Sequence, residues 1–353
     1  MIVATQGITG SFRADLLDWM EAYLGGDIFI SSSIPVNSGI REELEAFDEV
    51  DVVSPSLLQP AVWMRESGDE EEITFLGIDP RAYSEVTRFV FTDEETGEEE
   101  VLEKMASGDY LLVSEVISSK YGIEVGDALT LKTVKGSHDF TVAAVVLDFS
   151  SQGLVVTGNL RDLETWFENS DISSMSLSIA EGADVERTRE KLKEAFEEDY
   201  DLIIESNTAL KTQADELMNQ AFGMFDVLGI LSVMVAALGV LNTLTMSVME
   251  RTQEIGMLRT MGMTRLQIVK MIESEAGLLG GIGGVLGLIL GLLLTKILLA
   301  AMGAMSGYQL DFMMPAKAVW MSIAVAVVTS FIAALFPAVK AAKTPMLSAI
   351  QYE

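Results

Sequence analysis

Val227-Leu-Gly-Ile-Leu-Ser-Val-Met-Val-Ala-Ala-Leu-Gly-Val-Leu-Asn-Thr-Leu-Thr-Met-Ser-Val-Met249 is a run of 23 residues without a charged side chain. Two more such runs follow: Ala276 to Thr295, with apolar character resuming after Lys296 through Leu298, Leu299 and Met302, and Ala318 to Val339. About 20 apolar residues at ~1.5 Å rise span a hydrocarbon core of ~30 Å. A buried core helix is the alternative, but core helices rarely run beyond ~20 residues without a polar stripe. The reading is therefore three transmembrane α-helices.

Outward from these runs the composition changes sharply. Residues 1–220 hold 15 of the 23 Lys and Arg and 46 of the 53 Asp and Glu, a net charge of −31; residues 221–353 hold 8 basic and 7 acidic residues, a net charge of +1. An acidic soluble domain joined to a nearly uncharged apolar region follows. The acidity repels phosphate backbones and argues against nucleic acid as a partner. With no Cys and a single His, His138, there is no thiol chemistry and no His-based zinc motif. His138, beside Asp139 in a β-prone run, reads as a surface polar residue.

Orientation comes from the basic residues of the short connections. Arg251, Arg259, Arg265 and Lys270 lie in 250–275, Lys340 and Lys343 in the tail, and only Lys296 and Lys317 in 296–317. The positive-inside rule puts the first loop and the tail in the cytoplasm and residues 1–220 outside it. The predicted segments are 1–205 for the extracytoplasmic α+β domain, 206–226 for a stalk helix, 227–249, 276–302 and 318–339 for the spans, 250–275 for a cytoplasmic loop, and 340–353 for a cytoplasmic tail. Met1–Gly10 has neither the basic n-region nor the long apolar h-region of a signal peptide. The expectation is that these residues are the last turns, or the exit, of an upstream membrane helix.

Short β-prone runs at Asp27–Ser31, Val50–Ser54, Ala61–Arg65, Ile73–Ile78, Tyr110–Ser114 and Ala128–Thr133 predict strands. Lys135-Gly136-Ser137 predicts a hairpin turn into Asp139–Val146. A strand at Ser174–Ile179, a helix at Val185–Phe196 and a strand at Asp201–Glu205 form a βαβ unit. Helices are predicted at Gly10–Leu24 and Gly39–Phe47. The acidic runs Glu66–Glu72 and Asp93–Glu103 lack the EF-hand pattern and read as solvated loops. Ser206 or Asn207 can cap a helix whose stripe is Leu210, Ala214, Leu217, Ala221 and Phe225. No Pro interrupts Asn207–Met249, which predicts one helix of roughly 65 Å; the alternative is a break near Gly223.

In the second span, Gly277, Gly280, Gly281, Gly283, Gly284, Gly287 and Gly291 include four pairs of small-xxx-small spacing, a face on which another helix can approach closely. No ionisable residue lies mid-span, which argues against an ion relay. The loop Glu250-Arg-Thr-Gln-Glu-Ile-Gly-Met-Leu-Arg-Thr-Met-Gly-Met-Thr-Arg265 repeats Ile255, Leu258 and Met261 every three residues as one apolar edge. Gly256 and Gly262 break the rod there, and Thr264 can cap the next helix. Two readings stand for such a short amphipathic helix: it lies in the lipid interface, or it docks into a groove on a soluble partner.

This loop resembles the hallmark loop of the FtsX-like permease family, the MacB/LolC type of ABC transporter membrane subunit. The glycine-rich helix and Phe336-Pro-Ala-Val-Lys-Ala-Ala-Lys343, with Pro345 and Ala349-Ile350, fit the same family. Ser11-Phe-Arg, Asp27-Ile-Phe-Ile30, Leu112-Val-Ser-Glu115, Gly122-Ile-Glu-Val-Gly-Asp127 and Phe140–Val146 resemble its MacB-type periplasmic core domain. The resemblance covers nearly the whole chain. Ser11–Ile30 is similar to the second half of the large duplicated permeases. Such units usually carry four spans, so the resemblance implies a unit lacking its first transmembrane helix.

The resemblance implies further that a separate cytoplasmic ABC ATPase, carrying the ATP and Mg, binds Glu250, Arg251, Glu254, Ile255, Gly256, Arg259 and Gly262. No cofactor, catalytic or metal site is expected in this chain, and it carries no Gly-x-x-x-x-Gly-Lys-Ser/Thr loop. The other expected partners are membrane lipid and a second permease unit or chain supplying the missing helix. The expected location is the cell (inner) membrane, multi-pass. The leading function is export or extraction of lipids, lipoproteins or amphipathic compounds. The alternatives are a mechanotransducer that activates cell-wall hydrolases and, with no Ser/His or metal constellation to support it, a membrane-anchored enzyme.

Overall fold

A computed structural model of the chain describes residues 2–65, 68–93, 97–307, 312, 314 and 316–343. Pro345 and Ala349-Ile350 lie outside the described residues, as do parts of the two acidic runs. Packing separates two compact units. Residues 13–217 with 300–307 form an α/β unit, and residues 2–12, 218–299 and the described part of 312–343 form an apolar helical unit.

Within the α/β unit the elements run α1 (Ile2–Tyr23, whose first turns belong to the other unit), β1 (Ile28–Val36), α2 (Ile40–Glu45), β2 (Val50–Met64), β3 (Glu70–Ile78), α3 (Pro80–Val86) and α4 (Glu98–Ser107). They continue as β4 (Tyr110–Ser114), α5 (Glu115–Tyr121), β5 (Ala128–Thr133), β6 (Gly136–Val146), β7 (Val155–Asn159), α6 (Leu160–Phe167), β8 (Ile172–Ile179), α7 (Val185–Tyr200) and β9 (Leu202–Ser206). The strands order as β3-β7-β4-β6-β5-β2-β8-β1-β9, and β2 pairs with β3 as well.

Two lobes follow from that order. The run β2-β8-β1-β9 with α2 and α7 is a βαββαβ sheet, in which β1 lies antiparallel between β8 and β9. The βαβ unit read from sequence is therefore split: β8 and β9 run the same way but are not neighbours. Leu44, Val53, Leu177, Leu192, Phe196 and Ile204 fill its core. The second lobe is inserted between β2 and β8. There β3-β7-β4-β6-β5-β2 closes on itself through the β2–β3 ladder, making a small barrel. Alternate residues point inward, as period-2 side chains must. Phe75, Leu111, Val113, Leu131, Phe140 and Val156 fill the interior, while Leu76, Leu112 and Val155 face outward under α3 and α4.

β2 serves both lobes. Sequence reads it as two runs, Val50–Ser54 and Ala61–Arg65, because Pro55 and Pro60 intervene. The structure makes one strand. Its pairing to β8 ends at Ser56 and its pairing to β5 begins at Val62, so Pro60 sits where no ladder bond is required on that side. The acidic runs are corrected too: Glu70–Glu72 belong to β3, and Glu98, Glu99 and Glu100 form the first turn of α4, where negative charge favours the helix dipole. His138 is not a free surface group. Its Nε2 lies 2.8 Å from Asp109 Oδ1, and its ring stacks on Trp166 at 3.6 Å.

The helical unit is built from the membrane-length helices α8 (Asn207–Glu250, from residue 218 on), α10 (Arg265–Ser306, up to residue 299) and α11 (Ala316–Lys343), with α9 (Thr252–Thr260) between the first two. α8 is unbroken through Gly223. Residues 2–12 of α1 pack here; the sequence reading makes Met1–Gly10 the last turns or exit of a membrane helix while counting them in segment 1–205. Gln6 Nε2 donates to Asp226 Oδ1 at 3.1 Å, and Phe12 meets Phe222 edge to face. A Cβ at Gly7 would come within 2.8 Å of Thr295 Cγ2.

Candidate functional site

Both ends of the bend between α8 and α10 are closed by local hydrogen bonds. At Arg251 the backbone leaves the α8 conformation (φ −98°, ψ 17°), and α9 begins at once. The Thr252 hydroxyl donates to the carbonyls of Val248 and Met249, at 3.1 and 2.8 Å. At the far end, Gly262 N–H donates to Arg259 and Met263 N–H to Leu258, both at 3.1 Å. With Gly262 at φ +101° this is the Schellman arrangement that terminates helices. α10 then opens on a capping box. Thr264 N–H donates to Gln267 Oε1 at 2.8 Å, and Gln267 N–H donates back to Thr264 Oγ1 at 3.4 Å.

α9 is not loose. Ile255, 5% exposed, packs with Ile268 and Ile272 of α10 and with Ala338, Ala341 and Ala342 of α11. Small alanines on α11 leave room for the isoleucine, and Val248 and Met263 flank it. Arg251 Nη1 lies 3.6 Å from Glu275 Oε1 of α10.

The seven loop residues named from sequence divide into two sets. Glu250, Arg251, Glu254 and Gly262 are exposed; Ile255 and Gly256 are buried, and Arg259 is half-buried. Two sequence expectations are thereby corrected. Gly256 does not break the rod: it lies buried inside α9, next to the Ile255 that packs on α10 and α11. Ile255, Leu258 and Met261 do not form one edge, because a spacing of three drifts round a helix of 3.6 residues per turn. Ile255 is inside, Leu258 is half-buried and Met261 is 76% exposed. The outward stripe is instead Glu254, Met257 and Met261, with Glu250 exposed beyond the break, at the end of α8. The spacing of three and four from Glu254 to Met261 was the available signal, and Met257 was missed.

The glycines of α10 also divide. A Cβ at Gly277, Gly280 or Gly284 would meet Phe331, Ser330 or Ala326 of α11, within 3.2 Å in each case. Gly281, Gly283 and Gly287 have open space, and Gly283 and Gly287 line a cavity of about 400 Å³ between α8, α10 and α11. Gly291 is buried.

Residues 227–346 match the family model described as FtsX-like permease C-terminal, and residues 1–195 match the MacB-like periplasmic core domain. An uncharacterized ABC transporter permease protein of Mycobacterium tuberculosis, Rv0987, is 25% identical over 373 aligned residues, covering 100% of this chain and 42% of that protein. The pyoverdine export ATP-binding/permease protein PvdT of Pseudomonas putida is 27% identical over 247 residues, covering 70% of this chain and 35% of that protein. The chain thus spans less than half the length of either relative. The solved periplasmic region of MacB from Actinobacillus actinomycetemcomitans is similar at 15% identity and a TM-score of 0.42, covering 54% of this chain and 94% of that one.

Proposed function

From a chain that belongs to the FtsX-like permeases with a MacB-like periplasmic core domain, a family of ABC transporter permeases, we propose the membrane subunit that couples ATP hydrolysis by a separate cytoplasmic ATPase to movement of the extracytoplasmic domain. Membership and the three apolar helices make it a multi-pass protein of the cell (inner) membrane, with the α/β unit outside the cytoplasm. The transported class we propose is lipids, lipoproteins or amphipathic compounds; the export named for the Pseudomonas relative supports that direction.

The observation that carries this reading is the two-faced build of α9. Its inner face is anchored on α10 and α11 through Ile255, and its outer side presents Glu254 and Met257, flanked by Glu250 at the end of α8 and Met261 at the C-cap. Methionine is flexible and polarizable and suits a groove, while exposed carboxylates suit a polar rim. α9 follows α8 after a single residue, and α8 runs unbroken to Asn207. A displacement of α9 by a partner therefore acts directly on the end of α8. ATP and Mg belong, on this reading, to the partner.

The test is co-purification from native membranes. The tagged full chain should bring down a polypeptide that is photolabelled by 8-azido-ATP. Glu254→Arg combined with Met261→Asp should abolish that capture while membrane insertion and thermal stability stay unchanged, since both side chains face outward. Leu278→Ala, on the exposed face of α10, is the control and should retain it. Undiminished capture by the double variant would remove α9 as the docking surface.

A further inference from the structure

The barrel lobe carries a repeated device that the coupling reading does not use. β3 and β7 are parallel neighbours, with Ile78 opposite Asn159 at their ends. Each leads straight into a helix through a side-chain cap. Asp79 Oδ1 accepts from Arg81 N–H at 3.2 Å, and Asn159 Oδ1 accepts from Arg161 N–H at 3.0 Å. An arginine thus stands at the second position of both α3 and α6, and the strand pairing sets the two helix starts side by side. Pro80 fixes the first turn of α3. Asn159 is buried and held by a second bond, its Nδ2 donating to Met105 O at 3.1 Å.

Both arginines line one cavity of about 580 Å³, with Arg41, Asp79 and Glu85. Arg41 is already engaged: its Nε donates to Glu45 at 2.7 Å and its Nη1 to Asp79 at 3.1 Å. Among the described residues neither the Arg81 nor the Arg161 guanidinium has a carboxylate partner. That is so although Glu85 stands one turn along from Arg81 and residues 1–220 hold 46 acidic side chains. In so acidic a domain, two exposed arginines that line one polar cavity without a carboxylate partner attract an anion, with Glu85 the one lining carboxylate not engaged by Arg41. Planar, fixed-charge forks match carboxylate and phosphate oxygens two at a time. The start of α6 adds its helix dipole in the same sense.

We propose that this cavity, at the ends of β3 and β7, is an oxyanion-binding site of the extracytoplasmic domain, in which Arg81 and Arg161 grip a phosphate or carboxylate group of a polar ligand. The site stands independently of the coupling role of α9.

The experiment uses the full chain in nanodiscs of phosphatidylcholine. Inorganic phosphate is titrated, and phenylglyoxal modification of each arginine is followed by mass spectrometry. Arg81 and Arg161 should be protected by phosphate, and Arg88, exposed and outside this cavity, should not. Arg81→Gln with Arg161→Gln should weaken phosphate binding by about tenfold or more, Lys at both positions less so. Nanodiscs of phosphatidylglycerol separate the sources. Unchanged protection by free phosphate there assigns a soluble ligand, and protection without added phosphate assigns a lipid headgroup. Equal modification of the three arginines with and without phosphate in both lipids, or equal phosphate binding by the Gln variant, would overturn the site.

Discussion

The backbone N–H of Met263 donates to the carbonyl of Leu258 at 3.1 Å, and this bond closes α9 five residues back along the chain. It forms only because Gly262, between them, takes φ +101°. An L side chain there carries a steric penalty of about 1 kcal/mol, and open space around the position means that no packing offsets it. Gly262→Ala should therefore loosen the end of α9 without touching the bundle. Hydrogen exchange should show faster exchange at Met261, Gly262 and Met263, and unchanged protection in the middle of α10. Wild-type protection at those amides in the variant would contradict the argument.

How much of this is legible in the sequence depends on what each signal encodes. Hairpin β5–β6 lay open because local alternation and a Gly turn determine it, and β4 because Tyr110–Ser114 is a short β-prone run bounded by Gly108-Asp109 and Glu115. The long α8 was legible from a cap and an absence of proline. β7 and the helices α3 to α6 were not read: Val155–Asn159 is a short buried run whose partners in β3 and β4 lie far away in sequence, so no local period betrays it. The continuity of β2 was hidden by prolines whose tolerance depends on which neighbour each stretch pairs with. In the loop, residue types and the Thr264 cap were legible, but the division into faces was not. Which side of α9 is buried is decided by Ala338, Ala341 and Ala342, some eighty residues on.

The glycines of α10 make a second prediction, because identical residues have unlike surroundings. A Cβ at Gly280 would lie 2.5 Å from Ser330 Oγ, 2.8 Å from Ser330 Cβ and 3.1 Å from the Ala326 carbonyl oxygen. Ser330 is itself held by donating to that carbonyl at 2.8 Å, so α11 must yield as a whole. Overpacking of this kind costs on the order of 1–3 kcal/mol. Gly283 has nothing within 4 Å, so an alanine there gains up to about 1 kcal/mol of helix propensity. Gly280→Ala should lower the thermal midpoint in detergent by a few degrees, and Gly283→Ala should leave it level or raise it. A midpoint for Gly280→Ala at or above wild type would show that α11 does not pack on α10 at this point.

Asp162, at the first turn of α6, supplies a pH test of the barrel lobe. Burial, its largest influence, lifts its carboxyl to about 6; the nearby Asp109 charge adds to this, and the N–H of Asp109, donating at 3.3 Å, opposes it. An unfolded aspartate titrates near ~3.9. Between about pH 4 and pH 6 the folded chain therefore holds a proton that the unfolded chain has released. Stability from this group is full below that window and is lost as pH rises through it. The loss is on the order of 2–3 kcal/mol before relaxation. Asp162→Asn keeps an acceptor for the Asp109 N–H and has no proton to lose. The midpoint of the variant minus that of the wild type should therefore climb from pH 4 to pH 6 and then level off, with the variant more stable at pH 7 than it is, by comparison, at pH 4. A difference that stays flat across that range would mean the Asp162 carboxyl ionises as freely in the fold as outside it.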